Sequence, residues 1–232
     1  MAYAGDLSGT AVPRTTPDDD KLSQFFSIHP DNPQLRLIRQ AVAIIRDGGV
    51  VVMPTDSCYA LGCHVGDKAA MERIRAIRGV DARHHFGLLC RDLAEAATYA
   101  RIDNQQFTLI KAATPGSYTF ILHATREVPR RLLHPRRRTI GVRIPAHRVV
   151  QSLLAELGEP LLSSTLILPG SPDPLNDAAD IRDRLERRVD LILDSGSCGI
   201  VPTTVVDLTE AVPVITRQGK GAPGVFGELV GA

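Results

Sequence analysis

The chain has 232 residues, a formal net charge of +1 and 44% apolar residues, enough for one large domain or two small ones with a buried core. Lys and Arg number 27 against 26 Asp and Glu, which excludes a globally basic, histone-like nucleic-acid binder and a highly charged disordered chain. Only Lys21, Lys68, Lys111 and Lys220 are lysines, and codon-usage bias is the simplest reason for so much arginine; its fork onto phosphate and carboxylate is the alternative.

No apolar run approaches the roughly 18 residues of a membrane span, and residues 1–22 lack the apolar stretch of a secretory signal. Cys58, Cys63, Cys90 and Cys198 form no CxxC pair, so a reduced, cytoplasmic chain is expected. Residues 1–22 are polar and turn-rich and predict a flexible extension, with order starting at Leu22 to Ile28.

Asn32-Pro33 predicts a helix start, followed by Leu35, Ile38, Val42 and Ile45 at helical spacing and a stop at Gly48-Gly49. Val50 to Met53 predicts a buried strand ended by Pro54, and then a loop bearing Cys and Gly. Asp67 caps a second helix through about Arg78, with Met71, Ile74 and Ile77 inward. Phe86 to Cys90 predicts a strand, and Leu93 to Ala100 and residues 103–114 predict helices. Strands follow at Tyr118 to His123 and Thr139 to Ile144, then a helix from Val149 to Leu157 closed by Gly158. A strand over Leu161 to Leu168 precedes a helix from Ile181 to Val189. The last strands are expected at Leu191 to Asp194, Thr204 to Leu208 and Val212 to Arg217, with a loose glycine-rich tail from Gly219. Helices and strands mix without a repeat, which predicts one α/β domain with a large mixed sheet.

The most informative stretch is Pro54-Thr55-Asp56-Ser57-Cys58-Tyr59-Ala60-Leu61-Gly62, which follows the buried strand. Open α/β sheets hold ligands at the carboxyl ends of their strands. Thr55 and Ser57 suit a phosphate, a hydroxyl or an amino acid, and Tyr59 offers a ring face and a phenol; an ordinary turn is the plainer alternative.

This stretch resembles the P-T-[DE]-T-x-Y-G-L-G signature of the Sua5/YrdC/YciO family. Further landmarks follow in the family's order: Pro115-Gly116-Ser117-Tyr118-Thr119, Val142-Arg143-Ile144-Pro145, Thr203-Thr204-Val205-Val206-Asp207-Leu208 and Ile215-Thr216-Arg217-Gln218-Gly219. The resemblance spans about residues 24–221, and residues 25–30 and 129–133 look most like the YciO branch. It implies a YrdC-like domain over 23–221 between the extension 1–22 and a loose tail 222–232. The implied fold is a twisted open mixed sheet flanked by helices, with a concave, positively charged face. The additional C-terminal domain of longer Sua5-type members is not expected.

The resemblance also implies chemistry. Characterised members are threonylcarbamoyl-AMP synthases, joining L-threonine, bicarbonate and ATP with release of pyrophosphate, a step toward t6A in tRNA. Such a transfer needs positioning and charge neutralisation, here by hydroxyls, guanidinium forks and Mg²⁺ carried by ATP rather than by a protein metal cage. By resemblance, Thr55, Arg78 and Arg143 are the catalytic candidates. Tyr59 joins Thr55 at the threonine end. Thr119, Thr165, Thr203, Thr204 and Arg217 join Arg143 around the nucleotide. From residue type alone, Arg143 and Arg217 fit strand-edge ion pairs as well, and Thr119 and Thr204 fit plain β-formers.

Two departures predict weakened or shifted activity. The family's K-x-R pair is met by Arg78 and Val80, so the second cation is missing unless Arg83, His84 or His85 replaces it. The family's S-x-N is met by Thr165 and Ile167. Residues 126–148 carry eight arginines and one acid, Glu127, a local charge of +7. Arg136, Arg137 and Arg138 there suit double-stranded RNA or tRNA backbone, or an unremarkable solvated loop. The competing function is therefore a non-catalytic RNA- or nucleotide-binding paralogue. Few aromatics argue against a base-stacking platform. Cys58, Cys63 and His64 match no standard zinc spacing. A cysteine nucleophile beside His64, His84 or His85 is a minor alternative to buried structural thiols. The charges of residues 180–188 fit a solvated helix face.

Overall fold

The computed structural model describes residues 22–81 and 83–227. Among these residues ten strands form one mixed sheet: β1 (Gln24–Ser27), β2 (Val51–Met53), β3 (Ala60–His64), β4 (Gly87–Leu89), β5 (Tyr118–His123), β6 (Thr139–Arg143), β7 (Leu161–Thr165), β8 (Leu191–Asp194), β9 (Thr204–Asp207) and β10 (Val214–Arg217). Their order across the sheet is β1-β8-β2-β3-β7-β4-β6-β5-β9-β10. The helices are α1 (Leu35–Arg46), α2 (Lys68–Arg78), α3 (Leu93–Tyr99), α4 (Asn104–Ala113), α5 (Arg148–Leu157), α6 (Ala178–Leu185) and the short α7 (Gly224–Gly227). Among the described residues no helix is long and apolar enough to cross a membrane.

Alternation along the strands divides the core in two. Val51 and Met53 of β2, with Leu191 and Leu193 of β8, pack on Ile38, Val42 and Ile45 of α1 and Leu153 and Leu154 of α5. Val52 and Ile192 point the other way, toward Met71, Ile74 and Ile77 of α2 and Ile181 and Leu185 of α6. Coverage on both faces explains why Val50 to Met53 is uniformly apolar.

Caps explain most boundaries. The side chains of Asp67, Asp92 and Asp177 accept from the third helical N–H of α2, α3 and α6, and Asp103 with Gln106 forms a capping box on α4. Gly79 and Gly158 close α2 and α5 in the left-handed region, at φ 61° and 76°.

Several expectations shift. The loop after Pro54 contains β3, which pairs antiparallel with both β2 and β7 in the middle of the sheet. Its Ala-Leu-Gly-Cys-His run has no β-branched residue and no alternation to reveal it. Helix α1 begins at Leu35, because His29 Nδ1 takes the N–H groups of Asp31 and Asn32 and holds that segment in a turn. Strand β7 stops at Thr165, where Ile167 N folds back onto Thr165 O at 3.0 Å. Helix α6 runs from Ala178 to Leu185, set by its Asp177 cap. In the expected loose tail, Phe226 is buried against Tyr118 and Phe120. The expected extension 1–22, apart from Leu22, and the tail's last residues 228–232 lie outside the described residues.

Candidate functional site

Past Leu89 and Leu161, the face covered by α1 and α5 becomes small and hydroxylic. Register places Ser163 opposite Gly87, Gly87 opposite Gly141, Gly141 opposite Ile121, and Thr119 opposite Val205. Paired residues share a face, so these form one floor across five strands. A Cβ on Gly141 would sit 3.3 Å from Thr119 Cγ2, so glycine keeps the floor low. Above it lies a cavity of about 350 Å³.

Tyr59, Arg78, Thr119, Arg143, Thr165, Thr203 and Arg217 all line this cavity, and so does Arg137. Thr55 is outside this lining. Pro54 ends β2, and Thr55 Oγ1 then accepts from Ser57 N (3.2 Å) and Cys58 N (3.3 Å) while donating to Cys58 O (2.6 Å). This Ser/Thr turn aims oxygen atoms at Arg143, the last residue of β6. Arg143 Nη2 donates to Thr55 Oγ1 and Ser57 Oγ, each at 3.0 Å, and pairs with Asp56 Oδ1. Asp56 Oδ2 also accepts from Ser117 Oγ at 2.8 Å, and Asp56 O accepts from Lys220 Nζ at 2.5 Å. Arg143 Nε is buried without a partner among the described residues. Thr55, expected at the threonine end of the site, contacts Arg143 and is not part of the cavity lining.

Tyr59 presents ring surface to the cavity and spends its phenol on Gly196 O at 2.8 Å. Burial pushes that phenol well above its ordinary pKa, so it stays a neutral donor. Thr119 and Thr203 share a hydrogen bond of 2.8 Å. Arg217 donates through Nε and Nη2 to Thr203 O, at 3.1 and 2.9 Å. Thr204 faces away: fully buried, it donates to Gly221 O (2.5 Å) and accepts from Gly219 N (2.9 Å). Its role is to pin the segment after β10, because alternation along β9 turns it to the opposite face from Thr203.

At the opposite wall, Arg78 ends α2. Its Nε donates to Ile167 O (3.3 Å) and its Nη1 to Ser164 Oγ (2.5 Å), while His84 Nε2 lies 3.2 Å from Nη1 and 3.0 Å from Ser164 Oγ. Among the described residues neither Arg78 nor Arg217 has a carboxylate partner, and burial lowers the pKa of both. Ile167 brings apolar surface to this wall, and Val80 is outside the lining. Burial, then Arg78, lowers His84 to about 4, so the ring is uncharged at neutral pH and adds no second fixed cation.

The arginine loop divides. Arg137 Nη1 is held by Asp207 Oδ2 at 3.0 Å, whereas Arg136 and Arg138 are exposed and outside the cavity. Arg138 has φ 54°, a left-handed residue closing the turn onto His134 O. Cys58 lines the cavity with its thiol raised by burial, the opposite of an activated nucleophile. His64 is engaged by Glu159 at 3.1 Å, and no cluster of three metal-ligating side chains occurs among the described residues. Arg182–Glu186 and Arg184–Asp180 pairs cover the exposed face of α6. The site residues not singled out in the sequence are Asp56, Ser164 and Lys220. Asp56 lies inside a quoted motif and Ser164 immediately precedes Thr165, but only the fold turns them onto arginines.

Comparisons with known proteins place the chain among relatives. The family model Sua5_yciO_yrdC, described as "Telomere recombination", matches residues 43–219. The "Uncharacterized protein YciO" of Escherichia coli K12 is 58% identical over 200 residues, covering 86% of this chain and 97% of its own length. Its crystal structure superposes with a TM-score of 0.85, at 57% identity over 88% of this chain and 100% of that one. The threonylcarbamoyl-AMP synthase of Pyrococcus abyssi is 30% identical over 184 residues, 78% of this chain and 54% of that protein. Sua5 of P. abyssi, complexed with L-threonine, has a TM-score of 0.78 at 27% identity, covering 85% of this chain and 58% of that one.

Proposed function

The chain belongs to the Sua5/YciO/YrdC family, and from that premise we propose that it forms an L-threonylcarbamoyl adenylate from ATP, L-threonine and bicarbonate. The observation that carries this reading is a pair of guanidiniums, half-buried Arg78 and the more exposed Arg217, that line one cavity with no carboxylate partner among the described residues. Arg78, partly held out of water without a counter-ion, favours an anionic ligand, and Arg217 adds a second positive charge across the cavity. Arg143 adds a third guanidinium to the lining, its charge shared with Asp56.

In this reading the phosphates of ATP lie between Arg78 and Arg217, along the hydroxyls of Thr119, Thr165 and Thr203. Threonine lies toward Tyr59 and the Arg143–Asp56 corner. The amine of threonine and bicarbonate join to a carbamate with loss of water; the carbamate oxygen then attacks the α-phosphorus, the bond to the β-phosphate oxygen breaks, and pyrophosphate leaves. The arginines stabilise charge on the transferring phosphoryl group; no side chain need act as nucleophile. Mg²⁺ would arrive on the phosphate oxygens and neutralise part of their charge.

Val80 and Ile167 weaken the grip on the leaving phosphates. Each missing contact to a charged group is worth about 2–4 kcal/mol, roughly 30- to 1000-fold in rate. The test is incubation with ATP, threonine and bicarbonate, following pyrophosphate. Slow, threonine-dependent release is expected; none at saturating substrates overturns the reading, and turnover equal to that of a synthase with K-x-R and S-x-N intact refutes the weakening.

A second reading, RNA contact, is favoured by one observation: Arg136 and Arg138 are exposed beside the cavity wall formed by His134 and Arg137. Replacing Arg136, Arg137 and Arg138 by alanine then weakens double-stranded RNA or tRNA binding across sequences and flattens its salt dependence. An unchanged salt slope discards it.

A further inference from the structure

The hydrogen-bond logic around His84 specifies more than a missing cation. Arg78 Nη1 has only hydrogens to give, so at 3.2 Å from it His84 Nε2 must present a lone pair. The ring is therefore neutral and carries its hydrogen on Nδ1. Ser164 Oγ, 2.5 Å from the same Nη1, accepts from it and is free to donate to His84 Nε2 at 3.0 Å.

An anion landing on Arg78 reverses these signs. Its oxygens neutralise the guanidinium and offer Nε2 an acceptor, while the Ser164 hydroxyl rotates to donate to the anion. We infer that a phosphate-class anion binds at Arg78 together with a proton on His84, so that the second positive charge of this wall is supplied only when the ligand arrives. The inference rests on the reading of the cavity as an anion site, and gives that site a proton-coupled ligand.

The groups facing His84 are compatible. Arg75 and Arg78 come from α2, Asp81 and His85 from the connecting loop, and Ser164 from β7. Arg75 is occupied by Glu72. His134 stacks on His85, ring centres 4.9 Å apart, from the facing loop. Asp81 alone among these favours a proton on His84, whereas Arg78, Arg75 and His85 oppose it. Removing the opposition of Arg78 is what the ligand does.

Linkage fixes the sign. Below His84's free value of about 4 the ring is protonated with or without ligand. Above its raised value in the complex it is neutral in both. Between the two, binding takes up a proton and the affinity weakens as pH rises, by at most about tenfold per pH unit.

Sulfate is the probe, because its own charge is constant from about pH 5 to pH 8. Histidine-ring nitrogen NMR of the full chain should show His84 neutral, with bare Nε2, in the free protein and as imidazolium at saturating sulfate near pH 6. The sulfate Kd should rise with pH. His84→Gln should still bind sulfate but with a flatter pH profile, since a carboxamide donates without titrating, and Arg78→Gln should weaken binding. A neutral His84 in the saturated complex, the same profile in His84→Gln, or undiminished binding in Arg78→Gln would overturn the inference while leaving an anion cavity. No sulfate or ATP binding at all would instead overturn the reading beneath it.

Discussion

Replacing Asp56 by asparagine isolates the buried ion pair at the heart of the site. Arg143 and Asp56 are 10% and 11% exposed, so water screens little of the charge that remains. Arg143 keeps its hydroxyl acceptors on Thr55 and Ser57, each at 3.0 Å, but loses its only ion-pair partner among the described residues. Removing one member of a buried pair costs roughly 3–5 kcal/mol, and the surviving hydroxyl bonds place this case near about 3 kcal/mol. For a chain of this size that lowers Tm by about 6–12 °C. Asp56→Asn combined with Arg143→Met removes the stranded cation and should recover more than half of the loss, in urea denaturation read by circular dichroism. A loss below about 1 kcal/mol in Asp56→Asn, or simple addition of the two single effects, would refute the claim that the pair is tightly coupled.

Three other outcomes follow from the same geometry. Ile167→Asn places a carboxamide on the Arg78 wall and should raise kcat/KM for pyrophosphate release by about 10- to 100-fold; no gain would place the phosphates elsewhere. Thr204→Val strands Gly219 N and Gly221 O and should cost about 1–3 kcal/mol of stability by denaturant titration. An effect of Thr204→Val on ATP affinity with no effect on stability would contradict its assignment as a pin. Thr55→Val should lower activity by disordering Arg143, and Thr55→Ser should restore it, a rescue that a general packing defect would not show.

The elements with strong periodicity or caps were legible: α2 with Asp67, α5 with Gly158, and β5, expected and found at Tyr118–His123. Strand β3 was not, because a short central strand of Ala, Leu, Gly and Cys carries no pattern of its own and is stabilised by its neighbours β2 and β7. The site candidates were found through ordered motifs, yet motif order does not say which way a side chain points. Thr203 and Thr204 are adjacent and chemically identical, and strand alternation sends one to the cavity and the other to the core. Thr55 likewise became a support for Arg143 only once β2 and β6 brought them within 3.0 Å. Sequence left Arg83, His84 and His85 equal as replacements for the missing cation, and only the fold sets His84 against Arg78, where burial and Arg78 keep the ring neutral at pH 7.

Calorimetric titration of ATP into the wild-type chain and into an Arg78→Gln, Arg217→Gln double variant tests the central claim most directly. One-to-one binding that falls by about 10-fold or more for each guanidinium removed is the expected result. ATP affinity unchanged in the double variant would contradict it.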